Sequence, residues 1–536
     1  MRQKSRGVPF QIIILGVFLS VLVSACLKPS FSKKKNEKKV DEIYNTMFLN
    51  GAKDLPLNGT LTLSYTGGHA PHSLNIFSGP GSLSDKTYTA PSSLSDNSTS
   101  VSIRLSDSKG YRVETSLTVY QPGKLDTSFG SDGTGLVSYN PVTSREDIIL
   151  NLALQSDGKI VGVGYYDRDG SNDMDIIVVR YNSNGTLDTT FDSDGVFTYA
   201  PTTSDDVANG VAIQSDGKIV VVGYRYVGAA NNDVLVFRLN TDGSYDTSFD
   251  SDGILSFEIA GGGTDDNGLG VAIQSDGKIV IAGETVSAGD RKMALARLNS
   301  DGSLDTTFDS DGKVVLGNNG RARKVQVLSN GNIWIVGGTT SYVLARLTSA
   351  GALDTSFDSD GFVSTEVGSG GDEIPRGFVV QSDGKIVLAG GAFDGTTNCS
   401  GSIACEDWAL VRYNSDGSLD TSCDTDGRWT RNMSSTTTQH ENAYQLLLQS
   451  DGKLVIVGAA LMGATGRDMT VVRLNTDCSL DSTFDSDGIG TYNFSGSADD
   501  SGFAGLILSD GKILISGYSQ SSGWEAMFGF AKIWGQ

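Results

Sequence analysis

One short pattern, Leu-Asp-Thr-Ser/Thr-Phe, recurs through most of this chain, and a repeat of that kind constrains the fold more than any single residue can. Its copies begin at Leu125, Leu187, Tyr245, Leu304, Leu353, Leu419 and Leu480, some with one residue changed. A second element, Ser-Asp-Gly-Lys, starts at Ser156, Ser215, Ser275, Ser382, Ser450 and Ser509, and Ser329-Asn330-Gly331-Asn332 stands in its place in the fourth copy. The third is a short apolar strand carrying a cation, at Arg180, Arg238, Arg297, Arg346, Arg412, Arg473 and Lys532. Each element is present seven times.

One copy gives the local structure. Val196 to Tyr199 is β-prone, Val211 to Gln214 is a second strand, and Asp216-Gly217 supplies a two-residue turn. Ile219 to Val222 then forms a third strand and Val234 to Leu239 a fourth. Asp-Gly suits a turn whose central residues need positive φ, because Gly has no Cβ and Asp tolerates the left-handed region. The fourth copy exchanges Asp for Asn330 and keeps Gly331, so this position serves turn geometry. Four short strands cannot cover both of their own faces, whereas sheets stacked around an axis cover one another. The expected fold is therefore all-β, a seven-bladed β-propeller, rather than a linear solenoid with its shorter repeats. With the register starting before the first strand and ending after the last, ring closure needs no shared blade. Abundant glycine, at 67, and scarce proline, at 10, fit many strands joined by tight turns.

The region from about 122 to 536 resembles the delta-60 repeat family, a bacterial propeller-like repeat carried by the same two motifs. That resemblance implies an exported or surface context and no defined activity. Residues 49–121 form a separate small all-β domain, with alternating strands at Thr60 to Tyr65, Ser100 to Leu105 and Glu114 to Tyr120. Its segments Gly79 to Leu83, Tyr88 to Pro91 and Ser106 to Gly110 resemble bacterial immunoglobulin-like modules, which implies a β-sandwich used as spacer or adhesive unit.

The first 25 residues read as an export signal: Arg2, Lys4 and Arg6, then an apolar run from Ile12 to Val23. Val23-Ser24-Ala25-Cys26 resembles the lipobox of bacterial lipoproteins, which implies lipidation at Cys26 and anchorage by acyl chains. Leu27 follows in place of the Asp that retains some lipoproteins at the inner membrane, so the outer membrane is the expected location. Residues 26–48, rich in lysine, form a basic tether. A formal net charge of -22 argues against nucleic acid as a partner.

Candidate chemistry was weighed against construction. Asp-x-Asp-Gly follows the Phe in six copies, from Asp192 and Asp194 to Asp485 and Asp487. Such carboxylates can bind Ca²⁺, but the third acidic ligand of those loops is missing, and turn-capping is the preferred reading. The cations and the Asp residues of Leu-Asp-Thr (Asp126, Asp188, Asp246, Asp305, Asp354, Asp420 and Asp481) match in number and phase, which predicts a surface ion pair tying an outer strand to its turn. Acid pairs such as Asp205-Asp206, Asp265-Asp266, Asp372-Glu373 and Asp499-Asp500 predict surface or capping roles. No cofactor is expected. With His440 as the one propeller histidine and no nucleophile motif, an enzyme is the lesser expectation, and its strongest form is a glycosidase-like carboxylate pair in the channel.

Symmetry breaks elsewhere. The long loop from Asp394 to Asp407 holds Cys399 and Cys405, which can close a small disulfide, while Cys423 and Cys478 replace a repeat Phe and a turn Gly in neighbouring copies and suggest a second. Alternating strand direction collects the variable loops on one face, with Asp394 and Trp408 as candidate contacts for a protein or glycan ligand, packing being the preferred reading of Trp408. The expected function is a non-enzymatic binding or scaffold lipoprotein.

Overall fold

The alternation within each repeat produces antiparallel strands, and every described residue of the repeat region lies in a sheet or in a connection between strands. The computed structural model describes residues 48–50, 54–66, 72–108, 110, 112–140, 147–168, 173–201, 204–228, 231–287, 289–369, 371, 373–393, 406–433, 441–461, 466–494, 499–520 and 526–535. Among them there is no helix.

Seven four-stranded sheets make up the repeat region. The second shows the plan: Val207–Ile213, Ile219–Gly228, Asn231–Leu239 and Ile254–Phe257 pair in chain order. The inner strands Ile148–Leu154, Val207–Ile213, Asp265–Ile273, Arg321–Val327, Ile374–Val380, Asn442–Leu448 and Asp500–Ile507 touch one another in order, and the last touches the first. Apolar side chains fill the space between neighbouring sheets. Val161, Val163, Ile176 and Val178 of the first meet Ala208, Val221, Leu235 and Phe237 of the second.

Two readings of the register need correction. Val196–Tyr199 is the outermost strand of the first sheet, paired with Met174–Tyr181, and does not open the second. The Leu-Asp-Thr-Ser/Thr-Phe turn therefore joins the third strand to the fourth within one sheet. Its first copy has no third strand before it in sequence. It closes onto the last sheet, where Leu136–Tyr139 pairs with Ala526–Ile533. The ring does share a sheet between the two ends of the repeat region. Around this seam Tyr120 stacks on Trp534 with centroids 4.6 Å apart, and Tyr492 Oη donates to the Gly123 carbonyl at 2.7 Å.

Residues 54–120 form two further sheets around one core. Asp54–Pro56, Arg112–Tyr120, Ser98–Asp107 and His72–Ser78 make the larger, and Thr60–Thr62, Thr87–Thr89 and Ser82–Ser84 the smaller. Leu55, Leu63, Tyr88, Val101, Ile103, Leu117 and Val119 are buried together between them.

Candidate functional site

Two ends of the sheets are built by opposite rules. At one end lie the Ser-Asp-Gly-Lys and Leu-Asp-Thr-Ser/Thr-Phe turns, and there the same constellation is repeated. Arg238 Nε donates to Asp246 Oδ2 at 2.6 Å, and its Nη2 donates to Ser248 Oγ at 3.2 Å. Its Nη1 donates to the carbonyl of Ser300 in the next sheet, and its guanidinium lies 4.9 Å from the centroid of the Phe249 ring. Lys218 Nζ is 3.0 Å from the same Asp246 oxygen, while Asp246 Oδ1 accepts from Ser248 N and Oγ. The Lys of one motif and the Asp, Ser/Thr and Phe of the other thus meet at a single arginine-centred clamp.

These ion pairs are buried, contrary to the expected surface pairing, because the cation sits on the third strand, beneath the turn. Side-chain exposure is 5% for Arg238 and 8% for Asp246. Burial pushes these carboxyls up, but the Ser/Thr hydroxyl and N–H, the lysine and the arginine outweigh it, so Asp188, Asp246, Asp305 and Asp420 sit well below the usual carboxylate range. By the same balance Asp481 is held at about 2. In the fourth sheet Asn332 replaces the lysine, and its Nδ2 donates to Asp354 Oδ2 at 2.9 Å. In the seventh, Asp126 from the start of the repeat region meets Lys512 and Lys532 from its end, at 2.9 and 3.8 Å.

The Asp-x-Asp-Gly turns belong to this construction. Asp192 and Ser193 have φ of 44° and 69°, which directs the Asp192 N–H onto the carbonyl of Asp242 in the next sheet. Asp194 Oδ1 accepts from Val196 N at 2.9 Å, and the other second aspartates repeat this bond. They cap turns. Among the described residues no group of three or more His, Cys, Asp or Glu side chains is placed to hold a metal.

The sulfur pair follows the same geometry. Phe191 packs against Gly243 of the next sheet's turn, and Phe249 against Gly302. At Cys423 and Cys478 both partners have changed together, and a disulfide joins them with Cα atoms 5.1 Å apart. Cys399, Cys405, Asp394 and Cys26 lie outside the described residues. Trp408 packs inside the fold, in line with the preferred reading of it, and is not on the binding face. It is fully buried between the fifth and sixth sheets, over Gly458, where a Cβ would come within 2.6 Å of its ring.

At the opposite end the acid pairs cap connections as expected, but one member of each is buried and not at the surface. Asp205 accepts from Met174 N and Asp499 from Arg467 N, each on the preceding sheet. Asp206, Asp266, Glu373 and Asp500 are fully buried and accept backbone N–H groups, as from Tyr226 at 3.0 Å and Phe494 at 2.9 Å. Burial raises the Asp500 carboxyl to about 6 and that of Asp147, at the equivalent place in the first sheet, to about 7.

Just inside this end, every inner strand carries a bulge, and motif reading missed it. The pairing register skips one residue at Leu150, Asn209, Leu269, Arg323, Arg376, Tyr444 and Phe503. A bulged residue is unpaired and its side chain re-aimed. Each of these seven is partly exposed directly after a buried residue, on strands whose outer neighbours are covered, so they face the space the inner strands enclose. They also meet one another. The Arg376 guanidinium is 5.4 Å from the Tyr444 ring centroid, Tyr444 meets Phe503 edge-on at 4.4 Å, and Phe503 lies 5.9 Å from Tyr518. In the sequence it is one of several inner-strand positions that change chemistry from copy to copy, and nothing local sets it apart.

The charge there is lopsided. Arg321, Arg323 and Lys324 come from the fourth inner strand and Arg376 from the fifth. Glu284 receives Arg291, Arg321 at 3.1 Å and Asn267 at 3.0 Å, and Glu406 receives Arg376 at 3.2 Å. Arg323 Nε is buried without a hydrogen-bond partner, and among the described residues neither Arg323 nor Lys324 forms an ion pair. A separate groove of about 690 Å³ on the same end is lined by Arg168, Pro201, Ser204, Arg225, Tyr226 and Val227.

Comparison with known proteins gives the repeat a place. Similar solved structures include a protein of unknown function from Dyadobacter fermentans, at 9% identity and a TM-score of 0.39, covering 75% of this chain and 100% of that one. An α-L-arabinofuranosidase from Fusarium graminearum matches at 9% identity and 0.37, covering 74% and 96%, and a NanB sialidase from Streptococcus pneumoniae at 10% and 0.37, covering 81% and 83%. No curated protein matches the chain. Residues 155–191, 214–249, 274–308, 328–357, 381–422 and 449–484 match the family described as "Domain of unknown function (DUF5122) beta-propeller". The similarity is confined to those six segments, all within the repeat region.

Proposed function

We propose that this chain is a lipid-anchored binding protein: a seven-bladed propeller over residues 122–536, carried on an immunoglobulin-like sandwich at 49–121 and a basic tether at 26–48. Cyclic contact of the seven inner strands supports the blade count, and two sheets sharing one core support the sandwich. The Cys26 anchor and an outer-membrane location rest on the leader sequence. Cys26→Ser should release the protein into the soluble fraction. Continued membrane association after carbonate washing would remove the anchor.

The observation that carries a binding role is the ring of bulged residues. Six sheets keep the turn-end clamp almost unaltered, whereas the seven channel-facing positions hold Leu, Asn, Arg, Tyr and Phe in no repeating order. Positions that build the fold stay uniform, and positions released from building it are free to differ. The ligand is a glycan or protein of the envelope, held and not turned over. Glu284 and Glu406 are engaged as counter-ions of arginines, so neither stands as a free acid or base.

Binding of the full chain to arrayed glycans and to isolated envelope tests this reading. The double change Tyr444→Ala with Phe503→Ala should abolish capture, and Lys278→Ala at the opposite end should leave it intact. Equal loss from both variants, or no capture by the wild type, would overturn it.

A further inference from the structure

We infer that the channel mouth takes an acidic saccharide, its carboxylate on Arg323 and its ring against Tyr444 and Phe503. This rests on the reading of that end as the binding surface and names what it binds.

The first argument is charge. Three cations, Arg291, Arg321 and Arg376, pair with Glu284 and Glu406, while Arg323 and Lys324, on the same inner strand as Arg321, have no ion pair among the described residues, in a chain of formal net charge -22. Folding does not ask for them. The same bulge position holds Leu150, Asn209 or Leu269 in the first three sheets, and there the neighbouring strands are tied by neutral bonds, Asn151 to the Asn209 carbonyl at 3.1 Å and Asn209 to the Gly268 carbonyl at 2.9 Å. Gathering like charges away from water costs stability. Burial, then the neighbouring Arg376 and Arg321, lowers Arg323 to about 9, and burial lowers Lys324 to about 8. A cluster that the fold tolerates at a cost, with a buried Arg323 Nε lacking an acceptor, is completed by an anion.

The second argument is shape. A guanidinium presents a planar fork that matches a carboxylate with two parallel bonds. Beside Arg323 and Arg376 runs an aromatic wall, Tyr444 to Phe503 to Tyr518. That wall offers nothing to a free phosphate and suits the apolar face of a ring that bears the carboxylate. Arg323 is also the third residue of its strand, set in from the loops that a protein partner meets first. A sugar residue reaches it more readily than a folded surface does.

Calorimetric titration of the full chain tests the assignment, with D-glucuronate, D-galacturonate and N-acetylneuraminate as probes. D-glucose, acetate, inorganic phosphate and a peptide with a free C-terminal carboxylate are the comparisons. At least one acidic sugar should bind tenfold or more tightly than glucose or acetate. Arg323→Gln should weaken it at least tenfold while melting no lower than the wild type, and Lys278→Gln should change nothing. Unaltered binding by R323Q, tighter binding of phosphate or of the peptide, or no binding of any acidic sugar would overturn the inference. If no acidic sugar binds but the Tyr444 and Phe503 variants still abolish envelope capture, the ligand class is wrong and the binding surface stands.

Discussion

The two ends of the repeat region solve different problems with the same strands. At the turn end, Arg, Asp, Lys, Ser/Thr and Phe are locked to one another and to the next sheet, so a change in one can be met by a change in its partner. The joint exchange of Phe and Gly for Cys423 and Cys478 is an instance. At the channel end, the seven bulges share a backbone geometry and no side chain in common. Identity marks where residues hold the structure up. Diversity on a conserved backbone feature marks where it is free to recognise something.

The contrast can be broken most sharply at the clamp. Asp188→Ala leaves Arg180 buried, at 4% side-chain exposure, without its carboxylate, and should cost about 3–5 kcal/mol by chemical denaturation. Next comes the disulfide. Replacing Cys423 and Cys478 with alanine should cost about 2–4 kcal/mol. Writing the repeat back in as Cys423→Phe with Cys478→Gly should recover roughly half of that, since the ring and glycine pack together in the neighbouring sheets.

The two ends should also respond oppositely to pH. Clamp carboxyls titrate lower when folded than their ordinary 3.8, so their contribution is full above that value and lost as pH falls towards about 2. Asp500 and Asp147 titrate higher when folded, at about 6 and 7, so they favour the fold while protonated and that contribution is lost as pH rises through this range. Because the unfolded chain releases the same protons from about pH 4 upward, stability measured against pH should peak near pH 4. Asp500→Asn should flatten the decline on the alkaline side, by on the order of 1–2 kcal/mol, and leave the acid side alone.

The smallest effects sharpen the comparison. Asn332→Lys completes the clamp of the fourth sheet and should add at most about 1 kcal/mol. Arg323→Gln at the channel should leave stability unchanged or raise it by no more than about 0.5 kcal/mol. A large loss there would mean that the cation builds the fold after all.

Much of this was legible in the residues themselves. Asp-Gly turns, a cation on one strand of each copy and an aspartate in each following turn state a repeated antiparallel unit and its ion pair, because these are local spacings set by turn chemistry. Burial was not legible. Whether Arg238 and Asp246 face water depends on the next sheet, whose turn carbonyl covers the guanidinium. Trp408 reads as a loop-side aromatic in sequence and is buried because Gly458 of the adjacent sheet makes room for it.

What the sequence determined by itself was the unit: its strands, its turns and the count of seven, since each follows from short-range backbone preference repeated along the chain. Tertiary structure alone decided which strand closes the ring and which residues look into the channel. Pairing Leu136–Tyr139 with Ala526–Ile533 joins residues nearly 400 positions apart, and a bulge appears only as a mismatch between paired strands. Both are properties of partners in space, which no single stretch of chain contains.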